Sequence, residues 1–324
     1  MAFNAAHEAL RPKATQLICF CDVDGTIVHP SEATQQLGSY TGRSVHPGCV
    51  LWVDQETGKR HKLLQLPPSS TGAQGIISCN TLNHIAAMRS TGVLLVLITG
   101  ARTSTLFQRL PFLPKADAYA SENGGRLFFP TSTLPVAVPF TEDLEWRSRH
   151  DSVAGSAAQE SKAPAQRQGL LWDVFRQLQE AGFYLDANSY STSFRVRLDK
   201  SAGKSEQDLL QALQAQPPGL SWSTNLGHVD VCPATSGKRA VAKYIMERLT
   251  TSPQLTFLMC DDANDLGLAD LVAKVFVPTI TADSVRQAAE KDPQKFVLAQ
   301  KPGFLGTEEV LVHVDDYIGS FILG

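Results

Sequence analysis

The chain has 324 residues, 43% of them hydrophobic, enough to bury a sizeable core in one large domain or two modest ones. Its 29 Lys and Arg against 32 Asp and Glu give a net charge of −3 with no run of five like charges, which argues against nucleic acid or an anionic membrane as partner. No stretch approaches the roughly 18 consecutive apolar residues of a membrane helix, and the opening MAFNAAHEALRPKATQ lacks the apolar segment of a signal peptide.

These features point to a soluble, cytoplasmic protein, with an organelle lumen such as a stroma left open. The six cysteines, Cys19, Cys21, Cys49, Cys79, Cys232 and Cys260, are scattered, and four lie in apolar runs. Reduced thiols are expected. Cys19 and Cys21 share a strand face, but no second close pair completes a zinc site.

In chain order, residues 17–23 form a short apolar run suited to a strand buried on both faces of a parallel sheet, ending in the turn Asp24-Gly25-Thr26. Residues 49–66 carry two apolar-rich runs around Glu56-Thr57-Gly58-Lys59 and predict a hairpin, followed by a polar loop over 67–75. From Asn80, the residues Leu82, Ile85, Ala86 and Met88 recur at helical spacing, with Gly92 as a C-terminal cap and an apolar strand over 93–98. Strand, helix and strand make a right-handed βαβ unit. The same grammar returns near the C-terminus, where a helix carrying Val241, Tyr244 and Ile245 leads into a strand over 255–259, followed by another over 275–277.

Different material separates these halves. An Ala-, Ser- and Gln-rich stretch over 151–168 is expected to be a flexible loop. A helix follows, with Leu170, Leu171, Val174, Phe175 and Leu178 on one side and Gly182 after it. Residues 193–198 alternate, with Phe194, Val196 and Leu198 on one face and Ser193, Arg195 and Arg197 on the other, and residues 228–232 form a second alternating run. This is the pattern of a small α+β insert in a doubly wound α/β domain.

Four signals fall at the carboxyl ends of predicted parallel strands or at the start of a helix, where open α/β sheets bind ligands. Asp22-Val23-Asp24-Gly25-Thr26 sets two carboxylates two residues apart, able to share a hard cation and an electrophilic phosphorus, although Asp and Gly also suit an ordinary turn. Thr99-Gly100-Ala101-Arg102 offers a hydroxyl and an exposed backbone amide to a phosphoryl oxygen. Lys238, after Thr235-Ser236-Gly237, opens the later helix, where a solvated lysine is the plain alternative. Cys260-Asp261-Asp262-Ala263-Asn264-Asp265 crowds three carboxylates together, which is unfavourable unless a cation or a helix N-terminus compensates.

In their order and spacing across most of the chain, these residues resemble the four motifs of the haloacid dehalogenase-like hydrolases: Asp-x-Asp-Gly-Thr, a strand-end Thr or Ser, a Lys, and Gly-Asp-x-x-Asn-Asp. The long stretch between the second and third motifs, with Glu122-Asn123-Gly124-Gly125, resembles the subgroup containing sucrose-phosphate and trehalose-phosphate phosphatases and phosphomannomutases. The resemblance implies a Rossmann-like parallel sheet from residues 1–141 and 229–324, with an α+β cap inserted at 142–228. It implies a magnesium-dependent phosphatase acting through an aspartyl-phosphate on a small phosphorylated metabolite, a sugar phosphate or sugar derivative.

Carried over by residue, Asp22 is the nucleophile, Asp24 the general acid and then base, and Thr99 and Lys238 bind the transferring phosphoryl group. The magnesium set is Asp22, Asp24 through its carbonyl, and Asp261, with Asn264 and Asp265 arranging Lys238 and the metal's surroundings. Gly100, Arg102, Arg195 and Arg197 fall to the substrate, and His228 and Asp230 are further cap candidates. Three features depart from the pattern: Ala101 separates Gly100 from Arg102, Cys260 stands for the usual glycine, and the 49–66 hairpin is longer. A phosphomutase of the phosphomannomutase type and a catalytically silent binding protein are the alternatives.

Overall fold

The computed structural model describes residues 16–43, 48–68, 72, 74–131, 140–225 and 228–322. The segment 1–15 read above for a leader, and residues 69–71 and 73 of the polar loop, lie outside the described residues.

Strand β1 (Ile18–Asp22) is buried along its whole length, and its alternating side chains feed two different cores. Ile18 and Phe20 pack with Val96, Ile98 and Leu258, while Cys19 and Cys21 pack on the opposite face with Leu95, Leu97 and Met259. A strand in the middle of a three-layer sandwich has no polar face to offer, so it reads in sequence as one apolar run.

After β1 comes a five-stranded antiparallel sheet, broader than the expected hairpin. It holds β2 (His29–Pro30), β3 (Gly38–Arg43), β4 (Cys49–Asp54), β5 (Arg60–Gln65) and β6 (Gly75–Ser78), in the order β2-β6-β5-β4-β3, with α1 (Ser31–Gln35) between β2 and β3. Strands β4 and β5 are the foreseen pair. Their turn is fixed by Asp54, whose carboxylate accepts hydrogen bonds from Glu56 N at 2.9 Å and Thr57 Oγ1 at 2.6 Å. Strand β3, Gly-Ser-Tyr-Thr-Gly-Arg, has no apolar alternation to announce it.

The core resumes with α2 (Cys79–Ser90), β7 (Leu94–Ile98), α3 (Thr103–Arg109), β8 (Ala118–Ser121), β9 (Arg126–Pro130) and β10 (Phe140–Glu142). Ser78 caps α2 by accepting a hydrogen bond from Asn80 N at 3.1 Å. The stripe that α2 buries is Thr81, Ile85 and Met88; Ala86, expected on it, is exposed.

The insert contains α4 (Leu144–Ser148), α5 (Asp151–Ala154), α6 (Leu170–Glu180), β11 (Leu185–Asp186), β12 (Phe194–Val196), α7 (Glu206–Gln214), β13 (Leu220–Asn225) and β14 (His228–Pro233). Its strands form a separate antiparallel sheet, β11-β12-β14-β13, and β14 stays paired to β13 as far as Pro233. Leu171, Val174, Phe175 and Leu178 of α6 and Leu209 and Leu213 of α7 pack on Phe194, Val196, Val229 and Val231, as the alternation foretold. The 151–168 stretch is not the plain loop its composition suggests. It winds into α5 and two further turns, held by buried Arg167, which donates to Lys162 O, Tyr190 O and Glu160 O.

The chain then returns to the core with α8 (Lys238–Arg248), β15 (Thr256–Met259), α9 (Leu266–Ala269), β16 (Lys274–Val277), α10 (Asp283–Lys291), β17 (Phe296–Leu298) and α11 (Gly303–Ile322). The main sheet runs β10-β9-β8-β7-β1-β15-β16-β17, parallel from β8 through β17 and antiparallel at β9 and β10. Helices α2 and α11 cover one face and α8 and α9 the other, the doubly wound α/β arrangement with an α+β insert that the sequence implied. No described helix is long and apolar enough to cross a membrane.

Candidate active site

Strand β1 lies between β7 and β15, the place in the sheet where the order of connection reverses and a crevice opens at the carboxyl edge. In register, Asp22 pairs with Ile98 and Cys21 with Met259. The residues that follow those partners, Thr99 and the Cys260-Asp261 pair, therefore emerge beside Asp22 on adjacent strands, about 4.8 Å apart by sheet spacing. Residues distant in sequence meet because the sheet ends them at one edge.

Lys238 opens α8 directly behind this edge. Its Nζ donates to Asp22 Oδ1 at 2.6 Å and to Asn264 Oδ1 at 3.2 Å, and lies 2.8 Å from Asp265 Oδ1. Thr26, in the turn after β1, donates to Asp261 Oδ1 at 3.1 Å and reaches Asp22 Oδ2 at 3.4 Å. Burial alone would lower the Lys238 pKa, but Asp22 and Asp265 outweigh it and raise it, so the ammonium stays charged. For Asp22, burial pushes the pKa up while Lys238 pulls it down.

Asp261 is pushed well above the usual carboxylate range by burial, then by Asp22 and Asp265. Asp265 is pushed up to about 7 by burial, against the pull of Lys238 and with a further push from Asp22. One ammonium does not balance three buried carboxylates.

The donor set fits a hard divalent cation. Asp22, Asp261 and Asp265 each offer an oxygen, all within 4.8 Å of one another. Asp265 Oδ1 lies against Lys238, but its buried Oδ2 has no hydrogen-bond partner, an arrangement that ordinarily signals another ligand. Gly25, at φ +90°, brings the turn so close that a Cβ there would stand 2.1 Å from Asp261 Oδ2. Only glycine lets this loop close on the carboxylate.

The remaining expected residues divide into two groups. Thr99 and Gly100 are buried at the neighbouring strand end, where Thr99 Oγ1 accepts from Ala101 N at 3.0 Å and so keeps its hydroxyl proton for another acceptor. Asp24 sits at the mouth, with its carboxylate turned to Arg109, whose Nη1 donates to Oδ1 at 2.7 Å. Arg102 reaches out of the core to the insert, pairing with Asp186 and covering the Tyr190 ring at 5.0 Å from its centroid.

On the insert, Arg195 grips Asp230 through two hydrogen bonds of 2.6 and 2.8 Å, and Arg197 holds Asp199 at 2.9 and 2.8 Å. His228 Nδ1 is 3.6 Å from the same Asp199. None of these side chains makes a polar contact with the Asp22 cluster among the described residues.

Sequence reasoning gave no role to three groups that the structure makes prominent. Thr26 bridges two of the carboxylates, and Arg109 reaches Asp24 from 85 residues away. Glu122, fully buried, accepts from Ser191 N at 2.9 Å, Thr192 N at 2.7 Å, Thr192 Oγ1 at 2.8 Å and Thr103 Oγ1 at 3.0 Å. Asn123 next to it donates to Asp230 at 3.0 Å, while its own N–H bonds Thr99 O at 3.0 Å. This Glu-Asn pair ties the insert to the second motif, a long-range partnership with no local sequence signal.

No protein-family model matches the chain, and no curated protein matches it by sequence. Solved structures do. Over 93% of this chain and 98% of the other, it is similar to the sucrose-phosphatase of Synechocystis sp. crystallised with sucrose and phosphate, at 15% identity and a TM-score of 0.56. A protein of Thermoplasma acidophilum is similar over 93% and 99% of the two chains, at 11% identity and a TM-score of 0.57. A third, from Thermotoga maritima, covers 92% and 97%, at 12% identity and a TM-score of 0.50. The eight-stranded sheet with its α+β insert is therefore a fold that this chain shares with these solved structures over nearly its whole length.

Proposed function

We propose that the chain is a magnesium-dependent phosphomonoester hydrolase that works through an aspartyl-phosphate on Asp22. The observation that carries this reading is the meeting of Lys238 with Asp22, 216 residues apart in sequence, inside a cluster of buried carboxylates that one lysine cannot neutralise. Such a cluster is electrostatically unfavourable and persists where a cation and a phosphoryl group complete it.

Asp22 attacks phosphorus in line. A bond forms from its carboxylate oxygen to phosphorus as the ester P–O bond breaks, and Asp24 gives a proton to the leaving oxygen. Water then attacks the aspartyl-phosphate, losing its proton to Asp24 and releasing phosphate and the Asp22 carboxylate. Lys238 keeps Asp22 ionised, and its ammonium together with the Thr99 hydroxyl and the Gly100 amide binds the phosphoryl oxygens.

Asp22, the Asp24 carbonyl, Asp261 and Asp265 would hold magnesium, with Asn264 fixing Lys238 beside it. When bound, the ion supplies positive charge against an incoming phosphate dianion, which close carboxylates would otherwise oppose by about 4 kcal/mol per pair at an effective dielectric near 20.

For the substrate we favour a small sugar phosphate or phosphorylated sugar derivative, enclosed by a cap. We take the cap to run from about residue 142 to Pro233, longer than 142–228 because β14 remains in the cap sheet to that point. The likeness of the whole chain to a sucrose-phosphatase supports this reading. Arg102, Arg195 and Arg197 then shape the cap side of the site through their aspartate partners.

The test is phosphate release from a panel of sugar phosphates, with and without magnesium, by the wild type and Asp22→Asn. Release that needs both magnesium and Asp22 is expected. A wild type inert to the whole panel and to aryl phosphates, or an Asp22→Asn protein retaining about a tenth of the rate, would reject the proposal.

A further inference from the structure

Arg109 is buried at the C-terminal end of α3, the helix that follows directly on Thr99-Gly100-Ala101-Arg102. Its guanidinium is only 6% exposed, whereas its single ionic partner among the described residues, the Asp24 carboxylate, is 35% exposed. Nη1 donates to Asp24 Oδ1 at 2.7 Å, and the buried Nε has no hydrogen-bond partner. A buried arginine with one partner is an expensive feature for a fold to keep, since an apolar residue of similar volume serves packing as well or better. The cation is therefore directed at Asp24 rather than at stability.

The loop around Asp24 is equally fixed. Gly25 N donates to Val28 O at 2.7 Å, and Ile27 and Val28 donate back to Val23 O at 3.0 and 2.9 Å. The backbone at Asp24 is set by this turn, and its side chain by Arg109. Among the described residues Oδ2 has no hydrogen bond, so one oxygen is anchored while the other, on a side chain that is 35% exposed, is open to a further partner.

We infer that Arg109 is a positioning residue for the proton transfers at Asp24, an inference that rests on the phosphatase reading above. By holding Oδ1, it aims Oδ2 at the leaving oxygen. As the ester P–O bond breaks and its electron pair passes to that oxygen, the proton moves from Oδ2 to it, leaving an Asp24 carboxylate that Arg109 stabilises. The same oxygen then takes the proton of the attacking water. Asp22, not Asp24, forms and breaks the bonds to phosphorus.

A residue that acts only through leaving-group protonation has a distinct kinetic signature. Esters whose leaving oxygen is a good anion need no proton, and poorer ones do. The experiment compares wild type, Arg109→Gln, Arg109→Lys and Asp24→Asn, with magnesium, on substituted phenyl phosphates from p-nitrophenyl to unsubstituted phenyl, reading kcat/KM against leaving-group acidity.

For Arg109→Gln the expected loss is within about 3-fold on p-nitrophenyl phosphate and about 10²-fold on phenyl phosphate, the lower range of a general-acid contribution. Arg109→Lys recovers part of the phenyl phosphate rate. Asp24→Asn shows the steep dependence by itself, and adding Arg109→Gln to it changes the slope no further. Arg109→Lys, which keeps the buried cation, keeps the inference falsifiable if Arg109→Gln folds poorly: no steeper dependence on the leaving group than the wild type's, at a lowered rate, would count against it. Equal losses across the series, or additive effects of the two substitutions on the slope, overturn the inference while the phosphatase reading stands. A wild type that hydrolyses none of the esters overturns both.

Discussion

Charged residues are handled in opposite ways at the carboxyl edge of the main sheet and on the α+β insert. At the carboxyl edge of the main sheet, Asp22, Asp261 and Asp265 confront one ammonium, and Asp265 Oδ2 has no hydrogen-bond partner. On the cap side, Arg102, Arg195 and Arg197 each hold an aspartate, namely Asp186, Asp230 and Asp199. The first face carries more negative charge than its one lysine offsets; the second is closed on itself. Uncompensated charge marks where chemistry is done, and matched charge marks where shape is kept.

Removing Asp22, the proposed nucleophile, should break this contrast most severely. Asp22→Asn keeps the size of the side chain and relieves repulsion from Asp261, so the protein is expected to fold with an unchanged unfolding midpoint. Phosphate release should nevertheless fall by at least about 10³-fold. A chelator should abolish release by the wild type reversibly, and magnesium should raise the midpoint of the wild type more than that of Asp265→Asn, a binding readout independent of turnover. Equal magnesium shifts in the two proteins would remove Asp265 from the metal set.

The cap side should fail in the other currency, stability. Asp230 receives two hydrogen bonds from Arg195 and one from Asn123, and Arg195 is largely buried. Asp230→Ala strands that guanidinium and should cost about 3–5 kcal/mol in denaturant unfolding. Adding Arg195→Leu should restore most of the loss, since an apolar pair leaves no charge to satisfy. A double variant as unstable as the single one would mean that the pair does more than compensate its own burial.

Both regions should weaken together in mild acid. His29, in the core with its Nε2 2.8 Å from Thr307 Oγ1, and His150, at the cap base beside Thr235, are each held down to about 4 by burial. The unfolded histidine titrates near 6.5. Below that value the unfolded chain binds protons that the folded chain refuses, so each site destabilises the fold as pH falls from 6.5 toward 4, by about 3 kcal/mol at pH 4. Urea midpoints taken across this window should decline for the wild type and decline less for His29→Asn or His150→Asn.

The sequence was most legible where geometry is local. The run at 17–23 announced a strand buried on both faces, and polar residues breaking such runs marked the strand ends that converge on Asp22 and Asp261. Alternation in 193–198 gave the cap strand that buries Phe194 and Val196. Partnership across long separations was not legible. Nothing near Arg109 indicates Asp24, nothing near Glu122 indicates the backbone amides of Ser191 and Thr192, and nothing in the 193–198 pattern says that Asp230 already occupies Arg195. Strand β3 escaped for a different reason, because an edge strand need not alternate when only one of its neighbours and little of its surface are apolar.

Arg197 gives the smallest expected effect and the finest test of the comparison. Its partner Asp199 is half exposed, and the Arg197 hydrogen bonds are the main cause holding that carboxyl down to about 2. Arg197 lies two residues from Arg195, but its aspartate is 49% exposed where Asp230 is 3% exposed, and pairs open to water in this way add little to stability. Arg197→Gln should therefore leave the unfolding midpoint unchanged. If the guanidinium exchanges Asp199 for an anionic or hydroxyl-rich leaving group when substrate arrives, KM for the preferred sugar phosphate should rise with kcat held, while p-nitrophenyl phosphate, which offers no such group, is hydrolysed as before. Parallel changes for both substrates would place Arg197 with the self-contained pairs of the cap, and the matched-charge face would then contribute shape alone.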